Sequence, residues 1–409
     1  MKLTLTEKWR QAAAAHEGRV ALLVREDDSL QEYTYAQVYQ DCLKVAHWLR
    51  RAGVKPGDRV ALLLENRPEW CLAYFGLQLA GAVAVPLDAQ SLPETVSYLL
   101  TQTQAKILIT SNQLALSSCQ DLPFLEKIVA VGLPEADGPK LAAWPDLLAA
   151  PRGDDTLPEA APDDLAAIIY TSGTVGPPKG VMLTNRNFLT NFLGIAGLEM
   201  VGPQDNFLAL LPLHHCFPFM GTLILPLFLG ARVTFLNRLQ AQLILRCIRE
   251  QRVTILVATP QVLQHFAQGI QKGLDDLPLG LGRLLGLWLN FSWKLRPFLG
   301  FNPAGPVLGK FQNLLGPQFR YFVSGGAKLP VDLARLFNKW GFTVLEGYGL
   351  TETAPVVTFN PPEAPRLGSV GRPLAGVEVK IDQPDAEGVG EILIRGDNVM
   401  PGYYQNPEV

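Results

Sequence analysis

Residues 166–184, AAIIYTSGTVGPPKGVMLT, gather the residue types that hold a polyphosphate. An apolar run, Ile168-Ile169-Tyr170, reads as a buried strand and breaks into the small, hydroxylated loop Thr171-Ser172-Gly173-Thr174-Val175-Gly176. Pro177-Pro178-Lys179-Gly180 closes that loop ahead of a second apolar run, Val181-Met182-Leu183. Glycines let backbone N–H groups converge on one point, hydroxyls add donors, and Lys179 brings a positive charge. The spacing excludes a Walker A loop, because Pro178 stands where that loop needs glycine and Lys179 precedes Gly180 rather than Ser or Thr.

A second cluster, Glu346-Gly347-Tyr348-Gly349-Leu350-Thr351-Glu352-Thr353, sets flexible backbone beside an aromatic face, a hydroxyl and a carboxylate. Glu352 is a hard oxygen ligand of the kind Mg²⁺ prefers. Between the two clusters, Phe322-Val323-Ser324-Gly325-Gly326-Ala327 ends a strand in a small-residue turn. Pro212-Leu213-His214-His215 places two histidines in an apolar run, where a histidine serves either as a hydrogen-bonded core residue or as a lining of a site.

The elements that must carry these residues alternate. A hairpin at Val20–Val24 and beyond leads to a helix over Tyr35–Arg51, opened by the capping box Thr34/Gln37 and stopped at Gly53. A strand at 59–64, a helix capped by Asn66 with Glu69 at its third position, and a strand at 82–85 come next. Helix and strands follow at 93–101, 105–110 and 127–131. Residues 149–164, rich in proline and acid, read as a surface linker. A second alternating block comprises helices at 187–197 and 240–251 and strands at 207–211, 232–235 and 255–258. From Pro361 the texture changes to short strands, 377–381 and 391–395, between glycine and proline turns. The expected fold class is therefore α/β: two doubly wound βα sheet subdomains packed together, residues 1–164 and 165–360, with a small β-barrel at 361–409.

The chain of 409 residues is 48% hydrophobic and 18% charged, enough to bury a large core. A net charge of -3, with no basic cluster interleaved with aromatics, argues against a nucleic-acid partner. Five scattered cysteines without a CxxC pair fit neither a disulfide framework nor a zinc site, and with no signal-peptide core the expected location is cytoplasmic. Residues 206–231 lack charge, but Pro212, Pro218, Pro226 and the two histidines interrupt them, so they read as strand, loop and helix rather than a membrane span.

The TSGTVGPPKG run resembles the phosphate-binding loop of the adenylate-forming superfamily, which includes acyl-CoA synthetases, luciferases and peptide-synthetase adenylation domains. Val175 departs from it, standing where a second threonine is usual. EGYGLTET resembles the family's YGxTE element and Pro212–His215 its PLFH element, while Gly368-Ser369-Val370-Gly371 and Gly390-Glu391-Ile392 through Gly402-Tyr403-Tyr404 resemble family elements read as structural. The resemblance implies that Thr171, Ser172, Gly173, Thr174, Gly176 and Lys179 cradle the phosphates of ATP. It implies that Gly325, Gly326 and Ala327 wall the adenine and acyl pocket, with Glu346, Gly347, Tyr348 and Gly349 around the base and Tyr348 stacked on it. Thr351 would touch the α-phosphate, Glu352 with Thr171 would hold Mg²⁺, and His215 would line the acyl-adenylate site while His214 packs. Lys179, His215, Thr351 and Glu352 are the implied catalytic set.

Family membership implies two steps: ATP and a carboxylate give acyl-AMP and pyrophosphate, then a thiol takes the acyl group. Residues 277–311 look like the extra segment of long-chain fatty acyl-CoA synthetases. Leu281, Leu284, Leu285, Trp288 and Leu289 recur there at helical spacing. Such a helix packs on the core, lines an acyl entrance or lies on a membrane surface through 281–296. Phe217, Phe219 and Met220 beside His215 favour a fatty acid, with CoA as acceptor. The alternatives are a domain loading a carrier protein with an acyl or aryl group, and a noncatalytic nucleotide- and acyl-binding module. The family's later TGD element and lysine-bearing C-terminal domain do not occur before Val409, so the expectation is a large N-terminal domain that adenylates poorly alone.

Overall fold

A computed structural model describes residues 3–26, 29–132, 138–149, 156–171, 177–275, 287, 288, 291 and 314–408. Local signals act as the sequence predicts. Thr34 and Gln37 form the reciprocal capping box of the helix Tyr35–Arg51, with N–H to side-chain distances of 3.2 and 2.8 Å. The strands Val20–Glu26 and Ser29–Thr34 pair antiparallel as the predicted hairpin.

Two sheets organise the chain. The first has seven strands in the order Leu141–Ala143, Lys127–Ala130, Ile107–Thr110, Arg59–Leu63, Val83–Pro86, Leu165–Thr171 and Lys179–Thr184. All its pairings are parallel except the last. The second has nine strands: Arg372–Pro373, Val356–Phe359, Thr343–Gly349, Tyr321–Ser324, Ile255–Ala258, Asn206–Leu208, Arg232–Leu236 and the Val20–Thr34 hairpin pair.

Sheet membership does not follow the expected division at Asp164. The first hairpin joins the edge of the second sheet, with Leu22–Arg25 parallel to Val233–Leu236. The strands on either side of Thr171 and Lys179 close the edge of the first sheet, where Ala167 faces Ala84. Periodicity marks a strand as buried but does not say which open edge receives it. Beyond Pro361, Arg372–Pro373 joins the edge of the second sheet, and the other described strands form a two-stranded ribbon, Val377–Asp382 against Glu391–Gly396, in place of the expected barrel. Two strands do not close a barrel, and Ile381, Ile392 and Leu393 are exposed on this ribbon.

The largest core takes residues from both sheets. At its centre the helix Pro68–Leu79 is buried on all sides apart from Glu69, as an all-round apolar helix should be. Trp70 and Tyr74 meet Phe219 edge-on, at ring distances of 5.0 and 4.5 Å. Each such ring, fully buried, contributes about 1.5–3 kcal/mol of transfer free energy. This cluster fixes the segment after His215, whose backbone runs helical over Cys216–Pro218 and widens into a π-helix over Phe219–Ile224.

Asn66 does not cap this helix. Arg67 occupies the cap position without a side-chain bond, and Arg67 pairs with Glu69 at 2.8 Å. The Asn66 amide is committed elsewhere: Nδ2 donates to the carbonyls of Ala209 and Leu211, and Oδ1 accepts from the Leu213 N–H.

Candidate active site

Thr171 and Lys179 face each other across the antiparallel pair that ends the first sheet, so the loop between them leaves from a fixed gate. Ser172, Gly173, Thr174 and Gly176, four of the expected phosphate ligands, lie outside the described residues. The Lys179 ammonium sits 5.2 Å from the centre of the Tyr403 ring. The Tyr403 hydroxyl in turn donates to Glu352 Oε1 at 2.8 Å. The Lys179 strand and the Tyr348–Glu352 segment, 173 residues apart from Lys179 to Glu352, therefore meet at one side chain.

Sequence reasoning takes Tyr403 only as part of a structural family element and assigns it no contact at the site. The pair of tyrosines after Gly402 carries no period and no charge that would point to one. Burial, with the Glu352 hydrogen bond added, pushes its hydroxyl up to about 12, so it stays a neutral donor across the physiological range.

The second motif is shaped by close backbone contacts. Ser324 and Glu346 are neighbours on parallel strands, after which the chain turns through Gly325 and Gly326, the latter at φ +79°. Gly325 is buried against the Phe217 ring, where an added Cβ would lie 2.9 Å from the ring edge. Ala327 is exposed. Glu346 is buried, accepts from the Leu329 N–H at 3.3 Å, and burial raises its carboxyl above the usual range. Gly347 and Gly349 lie in the strand that pairs with Val356–Phe359, and Tyr348 and Thr351 are half-buried beside them.

His215 is exposed on the rim of a cleft of about 560 Å³ that opens between the carboxyl ends of strands from both sheets. His214 lies ring to ring with it at 4.1 Å, and Asp88, Glu65 and Arg67 share the lining. Burial lowers both histidines, His214 to about 4, with His215 adding to the fall and Asp88 opposing it. The pair is thus neutral at pH 7, able to donate and accept hydrogen bonds without bringing charge. Cys216 next to it is buried and its thiol is pushed up, partly by the Glu352 carboxylate. Residues 215–217 therefore run from the cleft, past Glu352, to the Phe217 ring on Gly325.

Behind Phe217 lies a smaller apolar pocket of about 30 Å³, lined among others by Gly221, Val257, Val323, Val356 and Phe359. It opens where the π-helix places Gly221 beside Val257. Of the segment 281–296, only Leu287, Trp288 and Phe291 are described, and all three are exposed. Among the described residues no helix is long and apolar enough to cross a membrane.

Fold and site define the class: a two-sheet α/β protein in which a lysine and a glutamate from separate segments converge on one tyrosine. The family described as AMP-binding enzyme matches residues 9–404, and the chain belongs to it. It is 29% identical to the peroxisomal long chain acyl-CoA synthetase 7 of Arabidopsis thaliana, over 94% of this chain and 59% of that protein. It is 28% identical to the medium-chain fatty-acid–CoA ligase of Escherichia coli (strain K12), over 99% of this chain and 67% of the relative. An inhibitor-bound structure of the N-terminal domain of FACL13 from Mycobacterium tuberculosis matches with a TM-score of 0.74 at 26% identity. That match covers 100% of this chain and 92% of the solved one. The chain thus spans about six tenths of the length of the curated relatives it matches.

Proposed function

We propose that this chain carries the ATP and acid sites of an AMP-forming ligase that activates a fatty acid and passes the acyl group to CoA. The observation that carries this reading is the convergence of Lys179 and Glu352 on Tyr403, which assembles a phosphate-type cation and a metal-type carboxylate from two segments. In the reaction the carboxylate oxygen attacks the α-phosphorus of ATP, the bond to pyrophosphate breaks, and a thiolate then attacks the acyl carbonyl and expels AMP. Lys179 offsets charge on the phosphates, and Thr351 hydrogen-bonds the oxygen that gains charge at the α-phosphorus.

The donor set fits magnesium. Among the described residues no group of three His, Cys, Asp or Glu side chains is placed to hold a metal. A small divalent cation bound through Glu352, Thr171 and the phosphates themselves is the arrangement Mg²⁺ favours, and it would neutralise the pyrophosphate leaving group. In this reading His215, neutral on the rim of the larger cleft, orients the acid, and Tyr348 stacks on adenine.

Support for a fatty acid comes from the apolar pocket behind Phe217 and from the names of the two curated relatives, a long chain acyl-CoA synthetase and a medium-chain fatty-acid–CoA ligase. At about 30 Å³ the pocket admits an alkyl chain only when Phe217 swings off Gly325. Pyrophosphate exchange into ATP, measured with fatty acids of graded length and with aryl acids, tests the assignment. Exchange or thermal stabilisation by fatty acids is the expected result, and a response to aryl acids alone overturns it. An acceptor assay with CoA and a holo carrier protein separates the ligase from a carrier-loading domain.

A further inference from the structure

We propose that Tyr403 is a positioning residue that keeps Lys179 and Glu352 from pairing with one another, so that cation and carboxylate reach the nucleotide and its metal as separate groups. This rests on the ATP-binding role proposed above. The ring touches opposite charges: the ammonium over its face, 5.2 Å from its centre, and the carboxylate at its hydroxyl, 2.8 Å away. Lysine and glutamate brought to one spot without such a spacer would form an ion pair, and each would be withdrawn from the ligand it is needed for. A cation held on an aromatic face keeps its net charge, which an ion pair would cancel, and a carboxylate with one oxygen bonded to a neutral hydroxyl keeps the other for a metal.

The backbone holds the ring in this place from both sides. Tyr404 N–H donates to the Gly180 carbonyl at 2.7 Å and Met182 N–H to the Gly402 carbonyl at 3.2 Å, which ties residues 402–404 to the Lys179 strand. Met400 N–H donates to the Glu352 carbonyl at 2.8 Å, and the buried Asn398 side chain donates to the Thr353 carbonyl at 3.0 Å. Asn187 Nδ2 bridges the carbonyls of Asp397 and Val399, each at 2.9 Å. Residues 397–404 are thus a strap with one end on each charged segment.

The test is calorimetric ATP binding by the full chain, with EDTA and across a magnesium titration, for the wild type, Tyr403→Phe, Tyr403→Leu, and Tyr403→Leu combined with Glu352→Gln. Tyr403→Phe keeps the spacer, so metal-free ATP affinity stays within about twofold while half-maximal binding needs about threefold more magnesium or greater. Tyr403→Leu lets the charges collapse together and weakens metal-free ATP about tenfold. Adding Glu352→Gln releases Lys179 and restores affinity to within about twofold of the wild type, a rescue that a merely structural tyrosine would not give. Equal affinity of Tyr403→Leu and wild type, or no rescue in the double variant, overturns the proposal. Should Tyr403→Leu fail to fold, the magnesium requirement of Tyr403→Phe decides, and a wild-type value overturns it. If the folded wild type binds no ATP at all, the ATP-site reading itself fails, an outcome distinct from wild-type binding that the variants leave unchanged.

Discussion

Asn66 Oδ1 accepts a hydrogen bond from the Leu213 N–H at 2.9 Å, joining a loop of the seven-stranded sheet to the segment that carries His214 and His215. The same side chain donates to Ala209 and Leu211, so one amide fixes three backbone groups that leave the second sheet. Asn66→Ala strands those groups in a partly buried place, at about 1–3 kcal/mol for the set. The expected outcome is a lower urea midpoint with an unchanged slope. A raised KM for the acid with a smaller change in KM for ATP should accompany it, because His215 loses its anchor.

Phe217 and Gly325 form a lock and its seat. A Cβ at Gly325 would lie 2.9–3.2 Å from three ring carbons of Phe217, too close to accept without moving the ring. Gly325→Ala should therefore displace Phe217 and cost about 1–3 kcal/mol of stability by overpacking. Phe217→Ala should open the apolar pocket and shift acid preference toward bulkier chains in the exchange assay. The two changes together should be more stable than Gly325→Ala alone, since the clash has lost its partner. A double variant no more stable than the single would mean that the ring is not the obstacle.

What could be read from the chain was what local residues decide. The Tyr35–Arg51 helix was legible to the residue because Thr34, Gln37 and Gly53 set its ends within a few positions. Asn66 was misjudged because an asparagine before a helix is a cap by local rules, and its true partners lie 143 to 147 residues away. The exchange of hairpins between sheets escaped for the same reason: edge pairing is decided in three dimensions. At the site, the motif residues Lys179, Tyr348 and Glu352 announced themselves through glycine, charge and order. Tyr403 did not, since its role depends on what the fold sets on either side of its ring.

The His214–His215 pair predicts an acid limb in stability. A histidine with a lowered pKa takes its proton less readily folded than unfolded, so stability is present above about pH 6.5 and is lost as pH falls toward about 4. Glu346 acts in the opposite direction, because a raised carboxyl favours the fold at low pH and that contribution is lost as pH rises through its folded value. Between pH 7 and pH 5 the half-buried His214 should cost about 1–2 kcal/mol after allowance for its partial exposure. His214→Gln should flatten that limb while leaving the pH 7 unfolding midpoint nearly unchanged. An acid limb of the same slope in the variant would assign it to other groups.

Gly349 sets the geometry of the Tyr348–Glu352 segment through its missing side chain. A Cβ there would fall 1.7 Å from the Pro355 carbonyl oxygen and 2.7 Å from its carbon, both backbone atoms that cannot rotate away. Gly349 is also the last pair of its strand, opposite Val356, and Asn191 bonds both the N–H and the carbonyl of Val356. Relief must therefore come from unpairing residues 349–356, which carries Thr351 and Glu352 away from Tyr403. Gly349→Ala should lose the protection against thermal unfolding that ATP gives the wild type, and should lower the unliganded midpoint by less than a core cavity would. The strand interior and the sheet core behind it stay intact, so far-UV circular dichroism should be unchanged. If ATP still protects Gly349→Ala fully, the Tyr348–Glu352 segment does not need this close backbone approach to hold the nucleotide.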